Sequence, residues 1–406
     1  MRHMQQYIAR KGDTVSRIAA RHGLTPEHVI QGNPWAGRQP YLVPGQILFL
    51  PSAPRKRYAV QEGDDARSIS ALFGVDVDEL EKLNPGVESA YGCSPGKVLV
   101  IPVAAPGAEV CLRGEYGPAE VDEAIGRLLD KYPGIIQHER IGGSVLGKPL
   151  HLLRIGRGSR HLHVNAALHA NEWLTSPCLL SFVEQYAAAY AGGKGWNGHN
   201  TGDWYKNWTI WAVPMANPDG VELVQEGVLP GHPYYEELMK WNCGRRSFRH
   251  WKANIRGVDL GDQFPAHWEE ERARRGVPEP GPRDYSGRAA LSEPEAAALA
   301  GLAEKVPGDA AVSLHSQGGE IYWNYRGYEP PESRALAAQL AAASGYRAVE
   351  LTGSDAGYKD WFIQRFRRPG FTVELGVGKN PLPLADFEDM ALETGHILAA
   401  ILSNFK

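Results

Sequence analysis

HLHVNAALHANE, residues 161–172, is the stretch that decides the fold. It opens with apolar residues in alternation (Leu162, Val164, Ala166), the period-two pattern of a buried strand. It closes on His169-Ala-Asn-Glu172, just before a helical run, SPCLLSFVEQYAAAY, at 176–190. Two residues of spacing in a tight strand-to-helix turn aim an imidazole and a carboxylate at one point. On its own the pair is a weak sign, because such pairs are common. A metal needs at least a third protein ligand, with a position left open for water if the site is catalytic.

Outward from this stretch the same alternation of elements recurs. Residues 135–142, 150–156, 209–215, 310–316 and 371–376 read as further strands. Helical patterns cover 118–133, 292–306, 332–344 and 387–405, the first with Val121, Ile125, Leu128 and Leu129 on one face. Strands alternating with helices predict an α/β domain whose mixed sheet is covered on both faces, with functional side chains where strands end. Two such ends carry candidates. His315 closes the apolar run AAVSLH, and Glu374 interrupts the apolar run FTVEL. A buried carboxylate without a partner costs several kcal/mol, so Glu374 wants a metal-bound water or a cation beside it. Satisfied core histidines and ion-paired glutamates are the competing account of all four residues.

Composition narrows the field. A chain of 406 residues with 43% hydrophobic and 22% charged content makes two or three globular units of roughly 150 residues rather than a disordered or fibrous protein. A net charge of −4 gives no global attraction to nucleic acid, which is not expected as a partner. No run of 18 apolar residues and no leader pattern is visible, so membrane insertion and a signal peptide are not expected. The four cysteines, Cys93, Cys111, Cys178 and Cys243, form no C-x-x-C pair and read as buried thiols.

The N-terminal quarter is a repeat. Residues 7–51 and 58–102 align without a gap at an offset of 51, pairing Tyr7 with Tyr58, Ile18 with Ile69, Asn33 with Asn84 and Pro51 with Pro102. Each copy reads as a β-α-α-β unit closed by ILFLP or VLVIP. Through Y-x-x-x-x-G-D, I-x-x-x-x-G, N-P and P-G-x-x-L-x-x-P, each resembles the LysM module, a binder of N-acetylglucosamine-containing glycan. The resemblance places the sugar against Gly12, Asp13, Thr14 and the segment from Asn33 to Tyr41, which includes Trp35. In the second copy it points to Gly63, Asp64, Asp65 and the segment from Asn84 to Tyr91. Trp35 and Tyr41 are the better contacts, since aromatic rings stack on sugar faces. Turn and cap chemistry is the plainer account of the Gly, Asp and Asn residues.

Linkers at 52–57 and 103–109 set the third unit at 107–406. Within it, HANE (169–172), NPDG (217–220), GVDL (257–260), SLHSQG (313–318) and FTVEL (371–375) follow in the order of the zinc carboxypeptidase superfamily. That resemblance implies a mixed sheet of eight-stranded type flanked by helices and one Zn2+ per chain on His169, Glu172 and His315. It implies Glu374 as general base, Asp259 as the carboxylate orienting His169, and a turn at Asn217 and Asp219 that shapes the site. Lys252 falls at the oxyanion-stabilising arginine, with Arg249 and Arg256 as alternatives.

Departures from the family pattern bear on substrate. Members that trim C-terminal residues continue GVDL with Asn-Arg, which clamps a free α-carboxylate; here Gly261 and Asp262 follow, and an anion repels that group. Asn171 stands where an arginine is usual, Thr352 where a substrate-covering tyrosine is usual, with Tyr358 the nearest substitute. Lys359 falls at the floor of the specificity pocket. One anion and one cation fit the ammonium and carboxylate at the distal end of diaminopimelate; a surface salt bridge is the bland account of the same pair. Tandem LysM modules and DQFPAHWEE (262–270) resemble bacterial γ-D-glutamyl-meso-diaminopimelate endopeptidases, although their pattern has Asn at the position of Gly261. The expectation is a zinc peptidase acting on peptidoglycan stems. The rivals are an amidase or carboxypeptidase of the same fold and a catalytically dead glycan binder. Without a visible leader, the expected place is the bacterial cytoplasm or a spore compartment.

Overall fold

Apolar runs that pack on both faces need a layered partner on each side, and the sheet of the larger unit meets that need. A computed structural model describes residues 4–9, 15, 18, 26–38, 42–43, 45–51, 57–60, 65–66, 69, 80–81, 84, 97–100, 110, 112 and 114–405. The chain divides into two compact units, Met1–Glu115 and Tyr116–Lys406.

In the first unit β1 (Met4–Ile8) pairs antiparallel with β2 (Ile47–Pro51), and β3 (Arg57–Ala59) pairs antiparallel with β4 (Val98–Val100). Helix α1 spans Pro26–Gly32. The repeat is visible in what is buried: Ile18, Val29 and Leu48 in the first copy correspond by the 51-residue offset to Ile69, Leu80 and Leu99 in the second, all fully buried. Trp35 packs half-buried against the first of these cores.

Two of the expected glycan contacts have their side chains turned into the module. Asn33 is buried, donates from Nδ2 to the carbonyls of Val29 and Phe49, and accepts the Phe49 N–H, each at 2.8 Å. Asn84 is buried and repeats the first of these bonds onto the Leu80 carbonyl at 2.7 Å. An amide committed in this way ties a helix end to its own module rather than reaching a sugar. Gly12, Asp13, Thr14, Tyr41, Gly63, Asp64 and Tyr91, with Cys93 and Cys111, lie outside the described residues.

The second unit holds an eight-stranded sheet: β5 (Ile136–Gly143), β6 (Pro149–Gly156), β7 (Arg160–Ala166), β8 (Trp208–Val213), β9 (Ala310–His315), β10 (Glu320–Tyr322), β11 (Arg347–Val349) and β12 (Gly370–Glu374). The spatial order is β5-β6-β8-β7-β9-β12-β10-β11. The four central strands β8, β7, β9 and β12 run parallel; the pairs β5–β6, β6–β8 and β12–β10 are antiparallel. Every residue of β8 and β9 is buried, as expected of strands covered on both faces.

Helices α8 (Pro294–Lys305) and α10 (Tyr358–Phe366) share one core with Leu152, Trp211 and Ala311. Helix α11 (Phe387–Asn404) packs on α3 (Thr175–Ala191) and α9 (Ser333–Ser344), and Trp208 Nε1 donates to the Leu402 carbonyl at 3.0 Å. The other helices are α2 (Pro118–Lys131), α4 (Thr201–Asn207), α5 (Pro218–Glu226), α6 (Tyr235–Trp241) and α7 (Trp268–Arg275). Because the central strands are parallel, their C-terminal ends lie along one edge. The residues after β7, at the end of β9 and at the end of β12 therefore meet there. Cys178 is buried in α3, whereas Cys243 is exposed, against the expectation.

Candidate metal centre

The turn after β7 is built by small hydrogen-bonded locks. Thr175 Oγ1 accepts the Ala167 N–H and donates to the Glu172 carbonyl, both at 2.9 Å, closing the loop that carries HANE. From the neighbouring strand end, the buried Asn217 Nδ2 donates to the carbonyls of Leu168 and Ala253 at 3.2 Å. Asp219 accepts Leu146 N–H and pairs with Lys148, each at 2.8 Å. Asn217 and Asp219 of NPDG thus act on the shape of the turn. Ala170 N–H donates to the Lys252 carbonyl at 3.0 Å, which brings the segment holding Lys252 against the same turn.

The donor atoms of His169, Glu172 and His315 converge within 4.8 Å of one another, and all three residues are buried. His169 Nδ1 lies 2.9 Å from Glu172 Oε1, and His315 Nδ1 lies 3.0 Å from Glu172 Oε2 and 3.0 Å from His169 Nδ1. The far nitrogens face away from this point. His169 Nε2 faces Asp259 Oδ1 at 3.3 Å. His315 Nε2 meets Ser313 Oγ at 3.1 Å, whose hydroxyl donates to Asn165 Oδ1 at 2.7 Å. With the imidazole protons on Nε2, facing Asp259 and Ser313, two Nδ1 lone pairs and a carboxylate are directed at one point. Electron pairs at that separation repel without a proton or a cation between them, and this donor set suits zinc.

Electrostatics follow from the same contacts. Burial disfavours a charged His169, yet Glu172 and Asp259 together outweigh it and raise the imidazole to about 9. Burial and the His169 charge lower His315. Burial works against an ionised Glu172, but His169 and His315 hold its carboxyl well below the usual range. Asp259, fully buried, is held anionic against burial chiefly by Lys252, whose Nζ sits 2.9 Å from Oδ2; it also accepts the N–H groups of Gly261 and Asp284. Lys252 in turn stays protonated: burial opposes its charge, and Asp259 and Asp262 restore it. Of the alternatives to Lys252, Arg256 is engaged with Tyr234 and Glu293, and Arg249 is exposed.

Glu374 stands opposite His315 in the β9–β12 register. Burial and then the Glu172 charge push its carboxyl up to about 8, while His169 and Lys252 pull the other way. Gly261 has a spatial reason: a Cβ there would come within 2.4 Å of His169 Nε2. Asn171 is buried and its Oδ1 has no hydrogen-bond partner, so an unsatisfied acceptor stands in the arginine position.

The pocket residues sort differently from their sequence reading. Tyr358 is no substitute for a covering tyrosine, because its ring is buried in the core against Phe264 and Phe362. Thr352 is exposed and cannot replace a phenol. Neither Asp262 nor Lys359 is a free pocket charge. Arg275 of α7 grips both oxygens of the buried Asp262 at 2.8 Å. Lys359 is buried, pairs with Asp360 at 2.5 Å and donates to the Asn324 carbonyl at 2.7 Å. An ammonium has three donors, so these two bonds leave Lys359 one to offer. Burial and Asp259 raise the Asp262 carboxyl to about 6, against the pull of Arg275. Sequence reasoning missed Arg275, Asn165, Ser313 and Asn380. Polar residues at buried positions of apolar strands were the available signal for Asn165 and Ser313.

The profile of the zinc carboxypeptidases matches residues 121–398, more than half of the chain, and the LysM domain profile matches residues 7–51 and 58–102. The chain belongs to the zinc carboxypeptidase family and is a zinc metallopeptidase with tandem LysM domains. Among curated relatives, it is 45% identical over 276 residues to gamma-D-glutamyl-L-diamino acid endopeptidase 1 of Lysinibacillus sphaericus, covering 68% of this chain and 69% of that one. It is 39% identical over 287 residues to the uncharacterized protein YqgT of Bacillus subtilis (strain 168), covering 70% and 76%. The structure of bovine thrombin-activatable fibrinolysis inhibitor in complex with tick carboxypeptidase inhibitor shares the fold, with a TM-score of 0.54 at 21% identity over 71% of this chain and 96% of that chain. The eight-stranded mixed sheet flanked by helices agrees with the sequence expectation.

Proposed function

We propose that the chain is a peptidoglycan hydrolase that cuts the γ-D-glutamyl–meso-diaminopimelate amide of peptide stems, with zinc held by His169, Glu172 and His315. The observation that carries this reading is the convergence of two imidazole lone pairs and a carboxylate whose far sides are fixed by Asp259 and by Ser313–Asn165. The activity named for the Lysinibacillus relative supports the choice of bond. Zinc in such a site polarises a carbonyl and brings the pKa of water toward ~7.

The chain's own residues do the rest. Glu374 takes the proton of the attacking water and delivers it to the departing amine nitrogen. Lys252, protonated and anchored at Asp259, directs its remaining donors to the developing oxyanion. Asn171 offers its unpaired buried oxygen to a substrate N–H. Asp262, already held by Arg275, leaves no cation at this position to clamp a free C-terminus, which favours cleavage at internal amides of the stem. The LysM pair binds N-acetylglucosamine-containing glycan, with Trp35 as a stacking surface, and raises the local concentration of stems.

Mass spectrometry of muropeptides digested by the full chain tests the bond. The expected new product is L-Ala-D-Glu; stems freed whole from glycan support an amidase, and loss of D-Ala alone supports a carboxypeptidase.

A further inference from the structure

Asn380 lies in GVGKNPLP, residues 376–383, the loop after β12, where no strand or helix pattern marks it. Its amide is fully used at the edge of the metal centre. Nδ2 donates to the Ser316 carbonyl at 2.5 Å and stands 3.5 Å from Glu172 Oε1, and Oδ1 accepts from Ser316 Oγ at 2.9 Å. Ser316 N–H in turn reaches Glu172 Oε2 at 3.2 Å. Among the described residues no Lys or Arg pairs with Glu172, so its carboxylate is turned by two imidazoles and two neutral N–H groups.

A carboxylate on a flexible glutamate stem has a torsion to fix before it can serve as a ligand. A cation would fix it but would compete with the metal for the same charge; a neutral amide orients it without that competition. Asn380 also joins two strand ends, since it holds the residue after His315 while sitting six positions beyond Glu374. We infer that Asn380 is a positioning residue for the metal centre, clamping Ser316 and steering the Glu172 carboxylate so that one ligand geometry is favoured. This rests on the reading that the triad holds zinc.

The test uses the full-length chain. Zinc affinity is measured by competition with a chelator, ligand geometry by the visible absorption of the cobalt(II)-loaded protein, and fold by the thermal midpoint of the metal-free protein. Asn380→Ala is expected to weaken zinc binding about 10- to 100-fold and to change the cobalt band, with the metal-free midpoint little altered. Asn380→Asp, which sets an anion against Glu172 and the Ser316 carbonyl, is expected to weaken it at least as much. Zinc affinity and a cobalt spectrum equal to wild type in Asn380→Ala overturn the inference. Should that variant fail to fold, Ser316→Ala removes one bond of the clamp and is expected to weaken zinc several-fold; unchanged affinity there overturns it equally. A wild-type chain that takes up no zinc overturns this inference and the metal reading together.

Discussion

At Glu374 the proton is held on by burial and by the neighbouring Glu172, up to about 8, which suits a group that must accept a proton and return it. Glu374→Gln keeps the volume and removes the exchangeable proton. Turnover of a stem peptide is expected to fall at least ~100-fold with zinc content unchanged; retention of a tenth or more of wild-type turnover assigns the base elsewhere. Away from the site, Glu295 is fully buried in the first turn of α8, accepts Val145 N–H at 3.1 Å, and is raised from its ordinary 4.5 to about 7 chiefly by burial. A carboxyl whose folded pKa is raised favours the fold while protonated; that contribution is complete below pH ~4.5 and is lost as pH rises through about 7. Glu295→Gln is therefore expected to raise the unfolding free energy at pH 9 more than at pH 5, by an amount approaching roughly 3 kcal/mol, read from denaturant unfolding at the two pH values. Equal shifts at both pH values would show that Glu295 stays ionised in the fold. His169, Glu172, His315 and Glu374 were legible in the sequence because each is polar where an apolar strand ends. Asn380 was not, because a loop has no period against which a residue stands out.

Among elements, those long enough to show a period were legible and the short ones were not. The six strands read from alternation are β5 to β9 and β12; β10 and β11, three residues each, are too brief to alternate. Helix α10 escaped notice because Lys359 and Asp360 interrupt its apolar face, yet both are buried and neutralise each other. Helix α7 is polar nearly all round. Its buried Glu271 is balanced by Arg274 and Arg275, and Arg275 in turn holds Asp262, so the element that shapes the pocket carried no apolar stripe. In the first repeat, α1 is joined to β2 through Asn33. Asn33→Ala is expected to cost about 1–3 kcal/mol locally, because Phe49 N–H and two carbonyls lose their partner. Hydrogen exchange at the Phe49 amide is expected to speed roughly tenfold or more; exchange at the wild-type rate would show that the bond does not hold the module together.

The whole molecule joins a zinc peptidase unit to glycan-binding modules. Tethering affects encounter, not chemistry. Soluble N-acetylglucosamine oligomers are expected to slow hydrolysis of intact cell-wall sacculi by the full chain while leaving a free tetrapeptide untouched; equal inhibition of both would place the sugar in the catalytic pocket. No helix among the described residues is long and apolar enough to cross a membrane. The repeat and the five ordered landmarks were legible in the sequence, whereas the partners of Asp262 and Lys359 were not, because Arg275 and Asn324 lie on other segments that the fold brings in. The most direct measurement titrates the metal-stripped chain with zinc while release of L-Ala-D-Glu from L-Ala-γ-D-Glu-meso-diaminopimelate-D-Ala is followed by mass. No release is expected without metal, and full release at one equivalent per chain. Release without metal, or an uncut tetrapeptide at one equivalent, would contradict this expectation.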